Sequence, residues 1–170
     1  MIPDAAHLRP VNYIDKSREY YAAQGYPEPY RWAEGVDVPF APLPKPLSEC
    51  RVGLITTTGL LGPGETPETD PELRAPKAAY AAPTDPLPGA MYTRDLSWDK
   101  EATHTRDVES FLPIRTLQAF VAQGRVGSAC SRFYGVPTEY SQRCTAAVDA
   151  PEILRLCRQD GVDVALLIPI

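Results

Sequence analysis

The sequence predicts an α/β fold in which helices flank a mostly parallel, Rossmann-like sheet, with a proline-rich N-terminal arm and a long loop added to it. Two observations carry this prediction. Apolar, β-branched segments alternate with helical segments that start near a proline and end at a glycine. Short connections between such segments favour right-handed crossovers and parallel strands. At 170 residues, the chain is expected to form a single α/β domain, residues 1–170.

The first predicted element is a helix near the N-terminus. Its apolar face contains Val11, Ile14 and Tyr21, and Gly25 is placed to end it. A segment that mixes prolines with aromatic residues follows, as expected for an extended arm packed onto a surface. Residues 1–50 are therefore predicted to comprise one helix and a proline-rich arm.

A buried strand is predicted at 52–58, because RVGLITTTG is an apolar run that enters a polar turn. Residues 62–103 are then predicted to form a long loop. The seven prolines from Pro63 to Pro88 exclude a helix or a central strand there. A loop of this length in a compact domain commonly serves as a lid, a binding loop or an arm that covers a partner, although a disordered segment has the same composition.

The C-terminal half is predicted to alternate between helices and strands. The elements are a helix at 114–123, a strand at 126–133, a helix at 151–160 and a strand at 162–168. Asp149 is predicted to cap the second of these helices, with Glu152 completing a capping box and Gly161 ending the helix. The last strand comes from VDVALLIPI, which is apolar almost throughout and therefore predicts a buried parallel strand.

Composition narrows the classes of function. A net charge of -5 disfavours binding to nucleic acid or to anionic lipid. The N-terminus has no apolar core of the signal-peptide type, and no apolar run is long enough for a membrane span, so the expected location is the cytoplasm. Four cysteines without a C-x-x-C pair indicate neither a zinc site nor a disulfide framework. Cys50 and Cys157 are predicted to pack in the core, whereas the roles of Cys130 and Cys144 stay open.

Polar residues that follow the predicted strands are the candidates for a site, because ligands of open α/β sheets bind beyond the carboxyl ends of the strands. Hydroxyl groups and an arginine there suit a carboxylate substrate. The candidate substrate-binding residues are Thr56, Thr57, Thr58, Gly59, Tyr134, Thr138, Tyr140, Ser141 and Arg143. His104 and Asp107 are the candidate catalytic acid–base pair. Ordinary turn and loop chemistry is the alternative for each of these groups, and no metal site is predicted.

Four segments of the chain resemble the selenoprotein B family of glycine, sarcosine, betaine and D-proline reductases, notably its short, D-proline-reductase-like members. The segments are VNYIDKSREYYAAQGYPEPYRW, PLSECRVGLITTTG, FLPIRTLQAFVAQGRVG and DAPEILRLCRQDGVDVALLIPI. The resemblance covers most of the chain. It implies a reductase subunit in which a cysteine or selenocysteine attacks the α-carbon of the substrate, releases an amine or opens a ring, and is regenerated by a dithiol.

In that family the redox residue belongs to a C-x-x-U or C-x-x-C segment, which in the short members directly follows the strand corresponding to VALLIPI. None of the four cysteines occupies that position. The resemblance therefore implies a subunit or half of a reductase that acts on a small amino-acid-type substrate and takes its redox cysteine or selenocysteine from a partner or a missing segment. We expect a second protein subunit, or self-association through the C-terminal strand region. The alternative is a non-catalytic subunit that binds a small carboxylate or a protein.

Overall fold

The computed structural model describes residues 13–26, 28, 37, 41–69, 78–93, 105–136 and 141–170. The chain divides into two compact units, Met1–Pro39 and Phe40–Ile170. In the first unit, helix α1 spans Tyr13–Ala23. Gly25 follows it with a φ of 88°, a left-handed conformation that glycine adopts without a steric penalty. The helix predicted to end at this glycine is therefore confirmed.

The second unit contains the strands. They are β1 (Arg51–Thr56), β2 (Gly59–Leu60), β3 (Tyr80–Pro83), β4 (Met91–Tyr92), β5 (Ser128–Ala129), β6 (Arg132–Gly135) and β7 (Val164–Ile168). Strands β2 and β4 form a small antiparallel pair, and the others form one sheet. The mostly parallel sheet predicted from the alternating segments is confirmed, because only β3 runs antiparallel to its neighbour.

Strand β1 lies inside the sheet. Strand β7 pairs with it on one side along residues 52–56, while β5 and β6 pair with its first and last parts on the other side. Strand β3 follows on the far side of β6. The strand predicted at 126–133 is divided into β5 and β6. The carbonyl of Ser131, which lies between them, accepts the N–H and the hydroxyl of Thr84 at 2.9 and 3.0 Å.

Helices cover both faces of the sheet. Helix α2 (Ile114–Ala122) packs through Ile114 and Leu117 against Val52 and Leu54 of β1. On the other face, Ile55 of β1 packs with a cluster supplied by the helix that precedes β7. The prediction of an α/β sheet flanked by helices is confirmed. None of the helices in the described part of the chain is long and apolar enough to cross a membrane.

The helix before β7 begins earlier than predicted. It runs from α3 (Gln142–Cys144) through a π-helical turn (Thr145–Asp149) into α4 (Ala150–Gln159). The capping box predicted at Asp149 is therefore wrong. Asp149 has helical φ and ψ of -69° and -49° and makes no capping hydrogen bond. Ser141 caps the helix instead. The wide π turn ends two residues before Pro151, which has no N–H for a helical hydrogen bond.

Strand β7 is parallel, as predicted, but it is not buried. Within the part of the chain that the structure describes, β7 pairs only with β1 and lies at an edge of the sheet. Leu167 is 73% exposed and Leu166 is 47% exposed. The predicted loop at 62–103 also differs from the structure, since it contains β3 and β4. Strand β3 can hold Pro83 as its last residue because, among the described strands, it too lies at an edge.

Candidate functional site

The three threonines at the end of β1 and directly after it differ in their burial. Thr56 and Thr58 are buried, and their hydroxyl oxygens lie 3.1 Å apart. The N–H of Thr58 donates to the hydroxyl of Thr56 at 3.3 Å, and the Thr58 hydroxyl also contacts the Met91 sulfur at 3.6 Å. These two predicted site residues therefore hold the turn after β1 together, and their hydroxyls are not presented to solvent.

Thr57 is half-buried and bonds to the segment that follows β7. Its hydroxyl accepts the N–H of Ile170 at 3.0 Å and donates to the Ile170 carbonyl at 3.2 Å. The N–H of Val136, just after β6, donates to the Thr56 carbonyl at 2.9 Å. The carboxyl ends of three parallel strands, β1, β6 and β7, thus meet around Thr57, where ligands bind in sheets of this kind.

Two tyrosines that the sequence analysis did not single out complete this edge. The hydroxyl of Tyr80 donates to the Thr58 carbonyl at 2.8 Å, and burial raises the pKa of Tyr80, which keeps it protonated. A Cβ atom on Gly135 would lie 1.9 Å from the Tyr80 ring, and one on Gly59 would lie 2.4 Å from the Tyr92 ring. Glycine at these two strand ends is the sequence signal for such close ring contacts.

Tyr134, predicted to bind substrate, lies on the α4 face of the sheet within a cluster of polar side chains. Its hydroxyl donates to Oδ2 of Asp160 at 2.6 Å, and Arg132 binds both carboxylate oxygens at 2.9 and 2.7 Å. The Cys130 sulfur lies 3.3 Å from the Tyr134 hydroxyl and 3.9 Å from Oδ2 of Asp160. We call Cys130, Arg132, Tyr134 and Asp160 the Asp160 cluster.

Hydrogen bonds and burial shift the pKa values of Asp160 and Tyr134 in opposite directions. The hydrogen bonds from Arg132, and then that from Tyr134, lower the pKa of Asp160. Burial, followed by the bond to Asp160, raises the pKa of Tyr134, so its hydroxyl stays protonated and acts as a donor. An ionised acceptor with three donors is a satisfied arrangement that joins β6 to the end of α4. Its geometry indicates a structural role.

The four cysteines are all free thiols. Cys50, Cys130 and Cys157 are buried, and Cys144 is partly buried. The Cys50 thiol donates to the Lys45 carbonyl at 3.4 Å. Burial raises the pKa of Cys157, which disfavours the thiolate form. Core positions for Cys50 and Cys157 are confirmed, and Cys130 is part of the core as well.

The remaining predicted site residues lie in different elements. Asp107 accepts the N–H of Glu109 at 3.1 Å and caps the short 3₁₀ helix Val108–Ser110. Ser141 accepts the N–H of Cys144 at 3.2 Å as the N-cap of α3, and Arg143 in that helix is exposed. His104, Thr138 and Tyr140 fall outside the described residues.

An apolar groove of about 380 Å³ lies between α4 and β7, and we call it the α4–β7 groove. Ile153, Leu154 and Cys157 of α4 line it on one side, and Ala165 and Leu167 of β7 line it on the other. Within the described residues, no group of three or more His, Cys, Asp or Glu side chains is arranged to hold a metal ion.

The chain was compared with known proteins at three levels. No protein-family model, curated protein or solved structure gives a significant match to it. The reductase resemblance therefore depends on the four sequence segments alone, and what it implies about chemistry is a proposal.

Proposed function

We propose that this chain is a subunit or half of an oxidoreductase of the glycine, betaine and D-proline reductase type. It acts on a small amino-acid-type substrate and receives its redox cysteine or selenocysteine from a partner polypeptide. The four resembling segments support the reaction class. The observation that supports dependence on a partner is the placement of the cysteines, three of which are buried.

The proposed reaction is a reductive cleavage of the C–N bond at the α-carbon. The partner's thiolate or selenolate attacks that carbon, and the nitrogen leaves with the bonding electron pair and takes up a proton. A dithiol then releases the carbon product as a C–H compound and becomes a disulfide, so two electrons and two protons pass to the substrate. Such a nucleophile must be ionised and accessible. The thiols of Cys130 and Cys157 are buried, and burial also raises the pKa of Cys157.

We place the substrate at the carboxyl edge of the sheet, around Thr57. The ends of β1, β6 and β7 meet there, and Thr57 is half-buried whereas Thr56 and Thr58 are buried. His104 and Asp107 are proposed as the acid–base pair that protonates the leaving nitrogen, and Arg143 as a ligand of the substrate carboxylate. Four free thiols suit a reducing compartment, so we propose a cytoplasmic location.

The test is a turnover assay with D-proline, glycine and betaine as substrates and dithiothreitol as the reductant. The chain alone is expected to give no product, and the chain mixed with the product of the adjacent reading frame is expected to turn over one of the three. Cys144→Ala, which removes the least buried thiol, is expected to leave that activity unchanged.

Turnover by the chain alone that Cys144→Ala abolishes would contradict the dependence on a partner. D-proline, glycine or betaine that binds in calorimetry but is not turned over in the mixture would instead support the alternative, a non-catalytic subunit that binds a small carboxylate.

A further inference from the structure

We propose that two copies of this chain associate about a two-fold axis through the free edge of β7, with the two β7 strands paired antiparallel and the α4–β7 groove covered by the partner copy. This inference does not depend on the proposed function, because it uses only the shape, charge and pairing of β7 and α4. The proposed interface lies at β7, on the side of β1 opposite to β5 and β6.

In the part of the chain that the structure describes, the outer edge of β7 lacks the features that usually protect an edge strand. In the described part of the chain its backbone pairs with β1 alone, and residues 164–168 contain neither a charged residue nor a proline. Proteins usually blunt such edges with lysine, proline, a bulge or a covering segment, because unpaired N–H and C=O groups recruit another strand. The edge consists of five aliphatic residues, and Leu167 is 73% exposed. Exposed apolar surface of this kind is typical of a protein interface.

A second copy fits this edge because the strand is complementary to itself. Antiparallel pairing with full overlap places Leu166 opposite its own copy, Val164 opposite Ile168 and Ala165 opposite Leu167, so every cross-strand pair is apolar. Isologous contact of this kind is what a two-fold axis generates. The chain carries a net charge of -5, and the uncharged β7 edge is a surface on which two copies approach without local repulsion.

The nearest acidic residue does not oppose this register. Asp163 would lie opposite Pro169 of the other copy, not opposite its own copy. Its carboxylate accepts the N–H of Arg51 at 2.8 Å and pairs with Lys45 at 2.8 Å within the same chain. The hydrogen bond from Arg51, followed by that from Lys45, lowers the pKa of Asp163 and keeps this neutralised pair intact. No like charges therefore face each other along the paired strands.

In this arrangement, side chains on both faces of β7 become less exposed to solvent. Leu166 is in register with Leu54 on the α2 face, and Leu167 lines the groove on the α4 face. Pairing brings Leu167 of each copy beside Ala165 of the other, at the mouth of the α4–β7 groove. Leu154, 49% exposed on the α4 wall, lies in the same groove and is covered with it.

The first experiment measures mass by size-exclusion chromatography with light scattering at about 20 µM. The 18.7 kDa chain is expected to elute as a dimer, and Leu167→Asp, which places like charges in the interface, as a monomer with association at least tenfold weaker. Leu47→Asp is the matched control, because Leu47 is also an exposed leucine, at 42%, but lies away from β7. Its carbonyl accepts the N–H of Gly127, which directly precedes β5 on the other side of β1. Circular dichroism checks that both variants are folded.

The second experiment tests the register. Leu166→Cys is expected to cross-link to its own copy when diamide oxidises the two thiols, whereas Ala165→Cys is not, because it faces Leu167. The wild-type chain controls for the native cysteines on a non-reducing gel. A monomeric wild-type chain, or a dimer that Leu167→Asp leaves intact, would overturn the proposal. A dimer in which Leu166→Cys does not cross-link would overturn the two-fold register. A chain that is monomeric alone and forms a complex only with a different protein would overturn the proposed pairing of two copies.

Discussion

In the described residues, β3 and β7 lie at the two edges of the main sheet, and the two strands differ in the side chains that they expose. Strand β3 forms one edge, where Pro83 ends the strand and the Tyr80 ring packs edge-on against Phe133 with centroids 6.1 Å apart. Strand β7 forms the other edge, with five aliphatic residues and Leu167 largely exposed. The first edge is anchored by an aromatic side chain and ended by a proline, while no strand in the described residues pairs with the outer side of β7.

This difference shows two ways to keep an edge strand from pairing with another chain. Its own side chains can block the edge, or another segment or protein can cover it. The prolines around β3 argue against a central strand, and one of them ends the strand where pairing with another chain would otherwise begin. The composition of β7 is that of a central strand, yet the described residues place β1 on one side only. The predictions below test how firmly each edge is held.

The largest effect is expected at the β3 edge. Tyr80→Ala removes the ring that packs against Phe133 and Gly135 together with the hydroxyl bound to the Thr58 carbonyl, so it should lower the free energy of unfolding by about 3 kcal/mol. Tyr80→Phe keeps the ring and should cost about 1 kcal/mol. Urea denaturation measures both. Equal losses for the two variants would mean that the ring does not anchor this edge.

An intermediate effect is expected at α4, the helix that forms one wall of the groove beside β7. Asp160→Asn replaces the ionised acceptor of the Arg132 and Tyr134 bonds, so it should lower the free energy of unfolding by about 2 kcal/mol at pH 7. The measurement is denaturation by urea, with Asp149→Asn as the control because that carboxylate makes no capping bond.

The stability difference between the wild-type chain and Asp160→Asn should also depend on pH. Because the pKa of Asp160 is lowered in the folded state, its stabilisation is present above the ordinary carboxyl pKa, about 3.9. It is lost as the pH falls below that value and through the lower folded pKa. Relative to Asp160→Asn, the wild-type chain should therefore lose its advantage in the free energy of unfolding as the pH falls below about 3.9. An advantage that persists unchanged at acid pH would show that the carboxylate is not the stabilising group.

The smallest effect is expected where Thr57 holds the segment after β7. Thr57→Val removes the two hydrogen bonds to the Ile170 backbone and should cost about 1 kcal/mol, while Thr57→Ser keeps the hydroxyl and should cost less. Hydrogen exchange of the Ile170 amide should be faster in the valine variant than in the serine variant. Exchange at the same rate in both would show that the hydroxyl does not anchor this segment.

Much of the local structure was determined by the sequence itself. The run RVGLIT predicts β1, and α2 lies within the predicted range 114–123 because its apolar spacing and its flanking Pro113 and Gly124 are local signals. The helix cap was missed, since Ser141 and Asp149 are both good capping residues. Which of them starts the helix depends on whether the turn between them continues as a π turn.

Tertiary structure decided the surroundings of each element. The run VALLI predicts a strand, but its burial depends on whether another element lies beside it, and among the described residues β7 has β1 on one side only. Tyr134 and Asp160 are 26 residues apart, and no local pattern relates them before β6 packs against α4. Short-range periodicity records the conformation of a segment, whereas burial, charge pairing and the free edge of a sheet are properties of contacts between segments distant in the chain.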